Sequence, residues 1–166
     1  HSTVTGLDLR EKRVICDNRP PVPFELVSIN TGSTPNTSQV PGATGKVVPV
    51  KPINTFLDRW EVLKDRAMSH DGPMKIAVVG AGAGGVEILL AIQHRLKNLR
   101  AAAGKSADNM EFHLFSDTDD ILPTHNGLVR RTFMETLKAR GVVLHMSNAV
   151  AEVMHGALRT VQEETF

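Results

Sequence analysis

The residues best placed to do chemistry are the run Gly80-Ala-Gly-Ala-Gly-Gly85, followed by Val86 and Glu87. Gly80, Gly82 and Gly85 stand at the G-x-G-x-x-G spacing. In that pattern the first glycine permits a tight turn out of a strand. The second lets the backbone approach a pyrophosphate, and the third lets a helix pack closely on the strand. Ala81, Ala83 and Gly84 add almost no side chain, so backbone N–H groups are the main ligands on offer. A helix opening at such a turn points unpaired N–H groups and the positive end of its dipole at an anion. The chemistry implied is recognition of two linked phosphates. Glu87 falls in the first helical turn, as a carboxylate favoured by the dipole or as a contact to a bound nucleotide.

A second group lies at Ser116 and Asp117, after the apolar stretch Glu111–Phe115. In a dinucleotide fold the end of the second strand reads the adenosine ribose, with an acid for NAD or a nearby arginine for NADP. Ser116 takes the usual place of that acid, and Asp117 is its neighbour. The choice of nucleotide therefore stays open, with NAD favoured because no arginine immediately follows this strand. Arg130 and Arg131 are within range of a 2′-phosphate but read better as a solvated helix face. Asp117, Asp119 and Asp120 lack the glycine and distal glutamate of a calcium loop. The seven histidines form no paired-ligand pattern, and His113 and His145 read as packed or surface strand residues. Cys16 is the single cysteine, so there is no internal disulfide and no CxxC pair, and it reads as a small apolar strand residue.

These groups need elements to hold them. Lys75–Gly80 reads as a short buried strand and Val86–Leu96 as a helix, with apolar residues at 86, 89, 92 and 96. The small polar stretch Ala101–Asp108 ends that helix and lengthens the path to the second strand, Glu111–Phe115. Asn126–Arg140 is a second amphipathic helix that turns Val129, Phe133, Met134 and Leu137 inward, closed by Gly141. Val142–Met146 is a third strand. Ala149–Met154 and Ala157–Val161 flank His155-Gly156 as an antiparallel hairpin. The order predicts an α/β fold, a Rossmann-like doubly wound parallel sheet with an attached β-meander.

Upstream, Thr5–Arg10 reads as a turn, Arg13–Cys16 as a strand, and Phe24–Ile29 as a second strand running into Asn30-Thr-Gly-Ser-Thr-Pro35. Residues 36–52 read as loop. Asn54 or Thr55 is expected to cap a helix over Phe56–Met68, with Phe56, Trp60, Leu63 and Ala67 on one face. Three segments result: 1–50, a linker with a helix at 51–72, and the nucleotide fold at 73–166. The first segment lacks a glycine motif of its own, and no closing strand follows the hairpin. A fragment of a longer protein is expected.

An apolar share of 41% and a net charge of +1 fit a globular chain and argue against a nucleic-acid binder. No apolar run is long enough to span a membrane. His1–Thr5 has no signal-peptide pattern, so a cytoplasmic location is expected.

Taken together, Phe24–Pro35, the linker with its helix, Val78–Glu87 and the Leu-Pro pair at 122–123 resemble the pyridine nucleotide-disulfide oxidoreductase superfamily. More narrowly, Ser28–Pro35, Val50–Ile53, Phe56–Trp60 and Val78–Glu87 resemble its type II NADH dehydrogenase-like branch. The likeness is to the flavoprotein found joined to selenide, water dikinase (selenophosphate synthetase). The resemblance implies that 1–50 is a partial FAD-binding β segment, with Thr31 and Gly32 in its late turn, and that 73–166 binds NAD(P)H. It implies an FAD enzyme that takes hydride from NAD(H), or NADP(H), and passes electrons to a second acceptor that no motif here specifies. It implies a functional link to selenium metabolism, and a place for Glu87 near the nicotinamide. A segment without the parent's FAD glycine motif is expected to hold FAD weakly and to be inactive alone. The alternative is a non-catalytic module that senses nucleotide and docks onto a partner.

Overall fold

The computed structural model describes residues 1–166. The chain divides into two units, His1–Ser33 and Thr34–Phe166.

The first unit is a small antiparallel sheet of β1 (Val4–Asp8), β2 (Arg13–Cys16) and β3 (Val22–Pro23), in that order. Two expectations fail here. Thr5–Arg10 is not the turn: residues 4–8 are a strand paired to β2, with a bulge between Val4 and Gly6. The turn lies one step later, where the Asp8 carboxylate accepts the N–H groups of Arg10 and Glu11 and Lys12 takes a positive φ. Phe24–Ile29 is not a strand. Pairing to β2 stops at Pro23 opposite Arg13, and the Phe24 N–H reaches Lys12 in the turn. Residues beyond it have run past the end of β2, and Leu26 is 92% exposed with nothing to pair against.

The second unit begins with an irregular stretch holding one 3-10 turn, Thr37–Gln39. It docks locally: Pro41 accepts the Val153 N–H at 2.9 Å, and Ala43 is buried. Helix α1 spans Ile53–Ser69, and Phe56 and Ala67 are buried as expected. Its cap differs from expectation. The helix starts ahead of Asn54 and Thr55, with Pro52 in extended geometry as the flanking residue and no side-chain cap. The far end of α1 is sealed by cations from elsewhere. Arg100, 3% exposed, donates to the carbonyls of Ala67, His70 and Ser106, and Lys105 donates to Met68 and to Asp71.

The nucleotide-type sheet is parallel, in the order β4 (Met74–Val79), β5 (Met110–Phe115), β6 (Val142–His145). Its in-register partners include Val78 with Leu114 and Phe115 with His145. Helix α2 (Ala83–Ala102) follows β4 and α3 (Gly127–Ala139) follows β5. Helix α2 is longer than the expected Val86–Leu96, because Ala83, Gly84 and Gly85 join the first turn and Lys97–Ala102 continue its far end. Its stripe of Val86, Leu89, Ile92 and Leu96 packs with Ile76, Phe112, Leu114 and Leu137 in one core. Asn126 caps α3 by accepting the Val129 N–H at 3.0 Å, and Gly141, at φ +71°, ends it. Strands β7 (Val150–Val153) and β8 (Leu158–Thr160) form the expected hairpin. The fold is thus Rossmann-like α/β with an antiparallel attachment. No helix is long and apolar enough to cross a membrane.

Candidate functional site

The corner between β4 and α2 is built from backbone. Gly80 leaves the strand at φ +105°, a conformation L side chains rarely adopt, and its N–H donates to the Phe115 carbonyl at 2.9 Å. Gly82 is the residue flanking α2, and its carbonyl accepts the Val86 N–H at 3.1 Å. No side chain caps this helix, so the N–H groups of its first turn face outward unclaimed by a cap. A methyl on Gly85 would overlap the Gly80 carbonyl oxygen, whereas a methyl on Gly82 or Gly84 would meet no protein atom within 4 Å. One glycine is required by the protein's own packing, and two border open space. Ala81 is buried, and its carbonyl accepts the Leu122 N–H at 2.8 Å, which ties the corner to the loop after β5. Val86 is fully buried below the turn, Ala83 is half-buried, and Glu87 is exposed.

At the carboxyl edge of the sheet a cleft of about 210 Å³ is lined by Val79, Gly80, Phe115, Ser116, Asp117, Ala149 and Val150. The end of β4, the end of β5 and the start of β7 therefore meet beside the glycine corner, at the edge where α/β sheets bind ligands. Ser116 and Asp117, remote from Gly80 in sequence, share its cleft. Their roles in it differ. Ser116 is only 4% exposed, and its hydroxyl is committed to the Thr118 hydroxyl at 2.8 Å and to the Thr118 N–H. Its N–H donates to His145 and its carbonyl accepts from Asn148. Asp117 is exposed, so the free carboxylate at this strand end is one residue later than the usual position.

Ala149 and Val150 line the cleft without having been singled out by sequence. Both lie just beyond the third parallel strand, and the rule that ligands sit at strand carboxyl ends is the signal that finds them. Thr31 and Gly32 belong to the first unit, exposed in the segment after β3, with Gly32 at φ +74°. Arg130 is held by Asp120 at 2.9 Å and, with Arg131 and Lys138, borders a separate depression on α3. Neither arginine lines the cleft. Asp120 is spent on Arg130 and on the Ile121 N–H, and Asp117 and Asp119 are exposed.

A strand, a glycine turn bordering open space, an uncapped helix start and an acid beside the next strand's end make up a Rossmann-type strand–turn–helix corner. The sequence pattern of the family described as "Pyridine nucleotide-disulphide oxidoreductase" matches residues 1–165, and the chain belongs to that family. No curated protein matches it in sequence. Among solved structures it is similar to NDH2 from Plasmodium falciparum in complex with NADH. The TM-score is 0.70 at 17% identity, over 99% of this chain and 37% of that one. A ferredoxin reductase for the CYP199A2 system from Rhodopseudomonas palustris gives a TM-score of 0.69 at 15% identity, covering 99% and 38%. An NAD-dependent persulfide reductase from A. fulgidus gives 0.68 at 19% identity, covering 99% and 28%. At these identities the likeness is one of fold, and the chain spans less than two-fifths of each.

Proposed function

We propose that residues 73–166 are the NAD(H)-binding portion of an FAD-dependent pyridine nucleotide oxidoreductase, with 1–50 a partial FAD-domain segment and 51–72 the linker. When bound, the nicotinamide supplies a hydride and the flavin of the full-length enzyme accepts it, before a second acceptor takes the electrons.

The observation that carries the reading is the contrast at the corner: Gly85 is required by Gly80, while Gly82 borders open space beside the cleft at the sheet's carboxyl edge. The residues present fit a dinucleotide. Ala81 and Gly82 supply a backbone without obstructing side chains, and Ala83, Gly84 and Gly85 present the N–H groups of the first turn to the pyrophosphate, above the buried Val86 whose own N–H is bonded to Gly82. Gly80 and Val79 form the wall of the adjoining cleft. Asp117 accepts the ribose hydroxyls and its charge repels a 2′-phosphate, while Arg130, on the helix that follows, is already paired with Asp120. NAD(H) is therefore preferred over NADP(H). Glu87, exposed on the first turn, orients the nicotinamide end, and Thr31 and Gly32 serve the flavin in the parent enzyme.

The narrower placement, in the NADH dehydrogenase-like branch with a link to selenophosphate synthetase, rests on the motifs Ser28–Pro35, Val50–Ile53, Phe56–Trp60 and Val78–Glu87 alone. Fluorescence titration of the chain with NADH, NADPH and FAD tests the reading. Saturable quenching by NADH, weaker quenching by NADPH and little by FAD is the expected order. Tightest binding of FAD would reassign the corner to the flavin adenylate, and binding of none would remove the proposal.

A further inference from the structure

Strand β5 sends alternate residues to opposite faces. Phe112 and Leu114 enter the core with α2, and Glu111, His113 and Phe115 lie on the other face. There His113 is buried between two partners: its Nδ1 lies 3.0 Å from His145 Nε2, and its Nε2 lies 3.2 Å from Glu111 Oε2. The His145 ring stacks on Phe115 at 4.1 Å and an interplanar angle of 6°. Phe166 meets both rings edge-on, 4.5 Å from His145 and 5.3 Å from Phe115. Phe166 is in turn bonded in both directions to Leu158 of β8. One wall residue of the nucleotide cleft, Phe115, is thus clamped between a histidine pair and the hairpin whose other strand supplies Val150.

Proton counting shows what the clamp tolerates. With the pair neutral, His113 donates from Nε2 to the Glu111 carboxylate and its Nδ1 accepts the N–H of His145. With one added proton, on either ring, one nitrogen of the facing Nδ1–Nε2 pair still carries hydrogen and the other does not, so the bond survives. A second added proton puts N–H against N–H and joins two cations, and the bond fails.

We propose that Glu111, His113 and His145 form a proton-operated latch that holds the wall of the nucleotide cleft in place and releases it when the pair takes up its second proton. The proposal rests on the nucleotide reading for its consequence, though not for its proton chemistry. Burial chiefly, then the charges of His113 and Lys75, push His145 below the ordinary histidine value, while Glu164 opposes them. The charged groups facing the pair are therefore Lys75 from β4, Glu111 from β5 and Glu164 after β8, the last tethered by Asn148 at 2.8 Å. Release accordingly falls on the acid side of the usual histidine range.

Two readouts on the 166-residue chain test this. Imidazole and amide NMR from about pH 8 to about pH 5 should show His113 and His145 titrating as a coupled pair. Its second step should fall below about 6.5, with the amides of Phe115 and Val150 following that step. Independent titration of both rings, or amides that ignore the second step, would overturn the latch. NADH affinity should weaken about fivefold or more on going from about pH 7.5 to about pH 5.5. It should weaken less than about twofold in His145→Phe, which keeps the stack without the proton, and in His113→Gln. Equal weakening in wild type and both variants would also overturn it. Absence of NADH binding at both pH values, with coupled titration intact, would overturn the proposed function while the NMR arm supports the latch.

Discussion

A methyl group at Gly85 would overlap the carbonyl oxygen of Gly80, so the first turn of α2 and the last peptide of β4 are in direct backbone contact. This close approach leaves no room for a side chain between helix and strand at the corner. It makes Gly85→Ala a packing mutation, expected to cost about 1–3 kcal/mol of stability as the helix is pushed off the strand. Denaturant unfolding measures it. An unchanged midpoint would show that helix and strand can separate freely.

Gly82→Ala should behave in the opposite way. The backbone of Gly82, at φ −71°, suits alanine, and the added methyl meets no protein atom. Stability should change by less than about 0.5 kcal/mol. NADH affinity should fall about tenfold or more, since the methyl occupies the space assigned to the pyrophosphate. Paired melting curves and NADH titrations separate the two effects, and unaltered affinity would argue against a phosphate at this position.

The corner was legible in the sequence because its glycines stand at a fixed spacing within one short run, between an apolar strand pattern and an apolar helix pattern. The strands β4, β5 and β6 and both flanking helices were legible for a similar reason, since their apolar spacing repeats within each element. What escaped was non-local. Val4–Asp8 becomes a strand because β2 lies beside it, and Phe24–Ile29 fails to become one because β2 has ended at Arg13. Ala149 and Val150 reach the cleft through the placement of β6, which no property of their own side chains announces. The apolar pattern of α2 begins three residues after the helix does, because Ala83, Gly84 and Gly85 add nothing to its stripe.

Asp117 is expected to set the choice between the two nicotinamide nucleotides. Asp117→Asn removes the charge that repels a 2′-phosphate while keeping the side-chain size. NADPH affinity should rise by about fivefold and NADH affinity fall slightly, so the ratio of the two dissociation constants is the quantity to follow. A ratio that does not move would shift the discrimination to another residue.

Arg100 is expected to matter for stability and not for binding. Its guanidinium serves the carbonyls of Ala67, His70 and Ser106 from a buried position. Arg100→Met keeps much of the stem but orphans these acceptors, and a loss of about 2–3 kcal/mol is expected in chemical unfolding. NADH affinity of the folded variant should equal that of the wild type.

The same helix end carries a weak acid dependence. The ammonium of Lys105, through its hydrogen bond and then its charge, holds the Asp71 carboxyl below its ordinary value of 3.8. A lowered value in the folded state means that this contribution is complete above that ordinary value and is lost as pH falls through the folded one. Asp71→Asn should therefore flatten part of the acid limb of the stability curve and leave the slope near neutrality alone. Asp71 is exposed, so the change is small, and a steeper acid limb in the variant would contradict the assignment.

The most direct test of the central claim is a backbone amide NMR titration of the chain with NADH. Saturable shifts should concentrate on residues 80–87, on Ser116 and Asp117, and on Ala149 and Val150, leaving β1 to β3 unmoved. Shifts centred elsewhere, or no saturation, would show that this corner does not hold a nicotinamide dinucleotide.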